Sequence, residues 1–271
     1  MLSKFKKPVL LALLVGALPL SAHAHRNWIL PSATVLDDKG GWLTVDASLA
    51  EDVFDMERPQ KVDDVVIYGP EGEKVAPENV FTGKVRSSFD LQLAKVGTYR
   101  ISIVRESVMA SYKLNGETKR FRGEEKDMAK QIPAEATDIV VTRAYARQDI
   151  FATAEKPSTT VLKPTGVGIE LEPITHPNEL YVGETAKFRL LLDGKPLAGH
   201  LFGIIPGGVR YRGVLNEIPV TTDAKGEFSV KWPAGGMYWL NASYPARSAT
   251  PNPVPVTRRV SYSATLEVLP Q

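Results

Sequence analysis

The chain has 271 residues, 33 Lys and Arg against 31 Asp and Glu, a formal net charge of +2, and no cysteine. Lys4, Lys6 and Lys7 account for the positive balance, and beyond Ala24 there remain 30 basic and 31 acidic residues, a net of −1. Nothing in that balance argues for nucleic acid, which would need a clustered cationic face, and the missing thiols exclude disulfides, thiolate metal sites and cysteine nucleophiles.

The basic start leads into an apolar run from Val9 to Leu20 and then Ser21-Ala22-His23-Ala24-His25. This is the layout of a secretory signal peptide over residues 1–24, with small residues at Ala22 and Ala24 for cleavage after Ala24. Cleavage after Ala22 is the alternative, with Leu20 a poorer fit at the −3 position. The run is too short to span a bilayer, which takes roughly 20 apolar residues, and no later stretch approaches that length. The expected location is the periplasm, with no membrane span after signal removal.

From Trp28 onwards the chain shows short stretches of period-two alternation separated by Gly and Pro, the pattern of half-buried strands. They fall at 42–48, 64–68, 88–93 and 98–103, then at 138–147 as the last long strand of a first domain. A second set follows at 167–171, 186–192, 227–232, 237–242 and 259–268. The charged alternate positions of 138–147 fit a solvated face. Only 123–132 has a helical look. Asp37-Asp38-Lys39-Gly40-Gly41 reads as a hairpin turn rather than a calcium loop. Glu51-Asp52 with Asp55-Met56-Glu57 beside Arg58 reads as a solvated acidic loop.

An internal repeat organises these strands. Phe89-x-Leu91-x-Leu93 precedes Gly97-x-Tyr99-x-Ile101, and Phe228-x-Val230-x-Trp232 precedes Gly236-x-Tyr238-x-Leu240 at the same spacing. Read locally, each copy is a hairpin with a Gly-containing turn. The predicted fold is all-β, two antiparallel β-sandwich domains of immunoglobulin or transthyretin type over 25–160 and 161–271. The boundary is expected within 155–168, where Lys156-Pro157-Ser158 and Lys163-Pro164-Thr165-Gly166 are linker-like.

The histidines carry the clearest chemistry. Cleavage after Ala24 makes His25 the first mature residue, and its α-amine and ring can then close a chelate on one metal ion. A further imidazole completes a three-nitrogen site. Amine and neutral imidazole nitrogens suit Cu(II) and Ni(II). His200, at the start of a strand, ranks ahead of His176, which precedes Pro177 in a turn. The candidate metal residues are therefore His25, His200 and His176. No G-x-S-x-G, H-E-x-x-H or P-loop pattern occurs, so no catalytic residue is assigned. Tyr211, Trp232, Tyr238 and Trp239 could line a sugar or peptide groove, although alternation sends about half of such aromatics into the core.

Several segments resemble one bacterial periplasmic family of unknown function whose label refers to nickel uptake (NikM-like, DUF4198-type). They are His25-Arg26-Asn27-Trp28-Ile29-Leu30-Pro31-Ser32, Tyr112-Lys113-Leu114-Asn115-Gly116, Thr175-His176-Pro177-Asn178, Asp193-Gly194-Lys195-Pro196-Leu197 and Thr222-Asp223-Ala224-Lys225-Gly226. The resemblance implies a periplasmic accessory to nickel or cobalt transport. The transporter component that the label denotes includes a membrane-spanning region, and this chain shows none after its leader. The expected function is an exported binding or accessory protein for nickel, cobalt or copper, possible partners being a metal ion or complex and an envelope protein or transporter. The alternatives are a metal-free envelope scaffold or adhesion module and a carbohydrate-binding accessory protein.

Overall fold

The computed structural model describes residues 25–246 and 257–271. The signal-peptide and cleavage-site expectations, including His23, lie outside the described residues. The fold is all-β, built almost wholly of antiparallel strands in three sheets. A five-stranded sheet contains Arg26–Pro31, Trp42–Ala50, Ser87–Gln92 and Glu78–Thr82 in that order, with Arg58–Pro59 beside Trp42–Ala50. A four-stranded sheet joins Ile169–Pro173, Thr185–Leu192, Lys195–Pro196 and Glu227–Lys231. Between them runs a ten-stranded sheet to which both halves of the chain contribute.

The seam of that sheet is a parallel pairing of Thr137–Ala154 with Arg258–Val268, in register from Arg143 opposite Arg258 to Ile150 opposite Thr265. Alternation then sends neighbouring side chains to opposite faces. Ile150, Ala152 and Ala154 enter the first core with Ile29, Val45, Phe89 and Ile101. Tyr145, from the other face of the same strand, packs on the second core, where Val260, Tyr262, Ala264 and Leu266 meet Phe188, Phe228 and Trp232. The two cores thus lie on opposite faces of one continuous sheet. The first is covered by the five-stranded sheet and the second by the four-stranded sheet.

The repeated motif has a different meaning from the expected hairpin. Ser87–Gln92 pairs with Trp42–Ala50, whereas Gly97–Leu114 pairs with Val65–Tyr68 and Thr137–Ala154 in the other sheet. Glu227–Lys231 and Gly236–Tyr244 divide in the same way. Each copy is therefore a corner at which the chain crosses between sheets. The Tyr238 hydroxyl donates to the Ala234 carbonyl at 2.7 Å, and the Tyr99 hydroxyl accepts from the Lys95 N–H at 2.8 Å. Both reach back four residues, which is the tyrosine corner of immunoglobulin-like sandwiches. Gly97 and Gly236 share φ 129°, and a Cβ at Gly97 would come within 2.6 Å of Pro70. Asp37–Gly41 is likewise a crossing and not a hairpin turn, because Val35–Leu36 pairs with Thr137–Ala154 while Trp42–Ala50 belongs to the five-stranded sheet. Tyr99→Phe and Tyr238→Phe are each expected to lower stability by about 0.5–1.5 kcal/mol, the net worth of one hydrogen bond, read as a shifted urea midpoint with unchanged slope.

The strands Gly97–Leu114 and Thr137–Ala154, 18 residues each, run on beyond the cores. Their ends join Glu117–Gly123 and the helix Glu125–Gln131, which lies inside the segment expected to be helical. Val108, Ala110, Tyr112 and Phe121 with Met128 and Ile132 give this arm its own small apolar cluster. Among the described residues no helix is long and apolar enough to cross a membrane.

Candidate functional site

The ten-stranded sheet carries a cleft of about 550 Å³ on the face that also bears the first strand, within the usual range of small-molecule sites, about 300–1,000 Å³. Cross-strand register explains its shape. Gly203, Asn241, Ser263 and Gln148 stand in one row, and Ser243, Ser261 and Ala146 lie in the next. These side chains are mostly short, so the floor is concave, and mostly polar, so it is wettable. The row beyond, Ile205, Trp239 and Thr265, is covered by the strand Arg26–Pro31. The Thr265 hydroxyl donates to the Ile29 carbonyl at 2.5 Å, and Trp239 Nε1 donates to the Asn27 carbonyl at 3.2 Å. That strand forms the wall of the cleft and sets His25, Arg26 and Asn27 along its edge.

The acidic segment 51–57, read from sequence as a solvated loop, is anchored beside this wall. Val53 is buried, Phe54 adopts φ 67° and packs edge-on against Trp28 with ring centroids 5.7 Å apart, and the Asp55 carbonyl accepts from Trp28 Nε1 at 3.1 Å. Glu57 is thereby held with one carboxylate oxygen 3.5 Å from His25 Nε2 and the other accepting the Glu51 N–H at 3.0 Å.

The other two histidines lie elsewhere. His176 Nδ1 accepts the Asn178 N–H at 3.2 Å, which leaves Nε2 as the protonated nitrogen, 3.0 Å from the Thr98 hydroxyl and 3.2 Å from the Ser158 carbonyl. Neither ring nitrogen of His176 is free for a metal in this geometry. His200 is buried, its N–H donates to the Thr222 hydroxyl at 2.9 Å, and its Nε2 has no hydrogen-bond partner. Among the described residues no group of three or more His, Asp or Glu side chains is placed to hold a metal ion. Of the four aromatics considered for a groove, Trp232 and Tyr238 are core residues in mutual contact, Tyr211 is exposed, and Trp239 borders the cleft.

Burial depresses the pKa of both His176 and His200, with partial opposition from the Ser158 carbonyl for the first and the Ser243 carbonyl for the second. Folded His176 and His200 stay neutral at a pH where the unfolded chain, titrating near 6.5, takes up protons. Stability is therefore expected to be level above about pH 6.5 and to fall as the pH drops below it. A His176→Asn/His200→Asn variant should flatten that slope in denaturant titrations between pH 7 and pH 5.

Behind the cleft, on the opposite face of the seam, lies a buried ionic cluster that sequence reasoning missed. Asp149 and Glu170 are fully buried, and Arg100 and Arg147 nearly so. Arg100 donates to Asp149 at 2.8 Å, and Arg147 Nε is 3.1 Å from both Asp149 oxygens. The Ser102 hydroxyl donates to Asp149 at 2.6 Å, and Arg147 lies 3.2 Å from Glu170. Glu170 also accepts the N–H groups of Thr165 and Gly166 at 2.9 and 2.7 Å. The linker-like stretch 163–166 is thus pinned to the cluster, and Arg147, expected on a solvated face, is buried. Burial alone would raise the Asp149 pKa, but the two guanidiniums hold it down at about 2.

A family described as a domain of unknown function (DUF4198) matches residues 22–246. No curated protein matches the sequence. Among solved structures, the D0-D1 domain of intimin is similar at 12% identity and a TM-score of 0.21, covering 88% of this chain and 96% of its own. The Bacillus anthracis TIE protein is similar at 12% identity and a TM-score of 0.18, covering 91% of this chain and 40% of its own.

Proposed function

The chain belongs to the DUF4198 family, a domain of unknown function, and we propose that it is an exported, non-enzymatic binding protein of the periplasm that takes a small ligand in the cleft beside His25–Asn27. The observation that carries this reading is Gln148. Its side chain lines the cleft and is 5% exposed, yet Oε1 has no hydrogen-bond partner. A buried acceptor left unpaired costs about 1–3 kcal/mol, and a donor bound in the cleft removes that cost once the amide turns toward it. The short polar side chains around it add donors and acceptors without filling the space. A thermal-shift screen of small metabolites tests the reading. At least one compound should raise the melting temperature of the wild type, and Ser261→Trp, which fills the floor, should abolish that shift. An unaltered shift in Ser261→Trp would place the ligand elsewhere.

A second reading, metal binding in nickel, cobalt or copper uptake or homeostasis, is favoured by the His25–Glu57 pair. An imidazole that ligates a metal through one nitrogen commonly donates its other N–H to a carboxylate, which fixes the tautomer. Glu57 faces Nε2, leaving Nδ1 and, after cleavage at Ala24, the α-amine to chelate. His25 with Glu57 as its orienting partner replaces the three-histidine set in this reading. Titration of N-terminally sequenced mature protein with Ni(II), Co(II) and Cu(II) is the test. Glu57→Gln should weaken binding by about 10–100-fold, and His25→Ala should remove it. Tight binding that persists in His25→Ala would rule this site out.

A further inference from the structure

The cleft's polar groups define the chemistry of what it can hold, and this inference rests on the reading of the cleft as a ligand site. We propose that the ligand is a neutral saccharide whose hydroxyls are bound by Gln148, Glu217, Asn241 and the serines of the floor.

Three observations converge on that class. The first is the balance of charge along the lining. Arg26, whose guanidinium donates to the Glu51 carbonyl, and Glu217 are opposite in sign along the lining, His25 stands opposite Glu57, and the charge of Arg147 is met on the far face of the sheet by Asp149 and Glu170. The charges of the described lining residues sum to about zero, and a neutral ligand enters without burying net charge.

The second is the placement of acceptors. Glu217 folds over the floor so closely that a Cβ on Gly203 would come within 1.7 Å of its Oε1, which places the carboxylate directly above Gly203. Glu217 forms no ion pair among the described residues. A carboxylate with two free oxygens accepts two neighbouring O–H groups, and the Gln148 amide, three strands along the same row and turned toward the cleft, accepts a hydroxyl of a further ring. Vicinal hydroxyls are the neutral chemistry that supplies two adjacent donors to one carboxylate.

The third is the floor itself. Serine hydroxyls at 243, 261 and 263 both donate and accept, as each sugar hydroxyl also does. Leu201, 62% exposed at the rim of the same face, offers an apolar contact to the C–H side of a ring. An amine ligand would satisfy Glu217 but offer no acceptor to the serine hydroxyls.

The test is a glycan array running from monosaccharides to oligosaccharides, followed by ¹H–¹⁵N titration of the protein with glucose, N-acetylglucosamine, maltose and their trimers. A parallel arm uses lysine, glutamate and putrescine. The expected result is saturable binding of at least one saccharide, with shifts at the Gln148 and Asn241 side-chain amides. Gln148→Leu and Glu217→Ala should each raise Kd about tenfold. Glu217 is exposed, so its variant folds as the wild type does and keeps the test decisive if Gln148→Leu does not fold. Binding of free mono- and disaccharides would identify a soluble sugar as the ligand, and binding of the longer glycans alone would identify a cell-surface polymer. If an amine or amino acid binds at the cleft while every saccharide is inert, the saccharide class is wrong and the ligand-site reading stands. Saccharide binding unaffected by either variant places the site elsewhere and overturns the proposal. No binding in either arm overturns both.

Discussion

Asp149→Ala is expected to destabilise the protein by about 3–5 kcal/mol, the range found when one partner of a buried ion pair is removed. The reason is what remains. Arg100 and Arg147 would share Glu170 as their one carboxylate, with Arg100 at 3.5 Å from it, and two buried guanidiniums would face each other with one charge uncompensated. Arg147 reaches Asp149 from the same seam strand, Thr137–Ala154, and Arg100 from its antiparallel neighbour Gly97–Leu114, while Glu170 holds Thr165 and Gly166 of the connecting segment. The loss should therefore appear as one cooperative transition at lower denaturant, with both halves affected together. Removing Asp138, whose pair with Lys113 is exposed, should change stability by less than about 1 kcal/mol. Acid gives a second readout. The folded Asp149 pKa, about 2, lies below the ordinary carboxylate value, so its contribution is complete above about pH 4 and is lost as the pH falls toward 2. Asp149→Ala should lack that acid-dependent loss.

The second large effect is expected at Trp28. It is fully buried and packs with Val53 from its own half and with Ile205, Val209 and Trp239 from the other. Trp28→Ala should cost about 3–5 kcal/mol, as for other buried large-to-small changes. It should also loosen the cleft wall, because the neighbouring Asn27 carbonyl is the acceptor for Trp239 Nε1. A broadened or shifted Trp239 indole resonance, together with a lower calorimetric melting temperature, would show both consequences in one preparation. Trp42, 49% exposed, is the control, since Trp42→Ala removes little buried area and should cost less than about 1 kcal/mol.

The strands were legible in the sequence because alternation is a local signal. Trp42–Ala50, Thr185–Leu192, Gly236–Tyr244 and Arg258–Val268 each show it plainly. Their partners were not legible. The two copies of the repeated motif have the spacing of a hairpin, and only long-range pairing, as of Phe89 with Val45, makes each a crossing between sheets. The seam joins residues 143–150 to 258–265, and nothing local separates a strand at a seam from one at an edge. Arg147 and Asp149 alternate like a solvated face, and their burial depends on Arg100 and Glu170 arriving from distant parts of the chain. The cleft left one usable trace. Asn241-x-Ser243 and Ser261-x-Ser263 put short polar side chains on one face of strands whose other face is mostly apolar and aromatic, with Val260, Tyr262, Ala264 and Leu266 on the second. In two adjacent long strands, that pattern marks a polar floor. His25 was visible through its place after the small residues, but its partner Glu57 depends on the packing of Val53 and Phe54 that turns the 51–57 segment back toward the first strand.

The cleft as ligand site is tested most directly by locating a bound ligand on the protein. A ¹⁵N-labelled sample with assigned side-chain amides, titrated with a compound that stabilises it, should show saturable shifts at Gln148, Asn241, Ser261 and the Trp239 indole, with the four-stranded sheet unchanged. Shifts confined to the four-stranded sheet or to the arm around Glu125–Gln131, with the Gln148 amide unmoved, would contradict it.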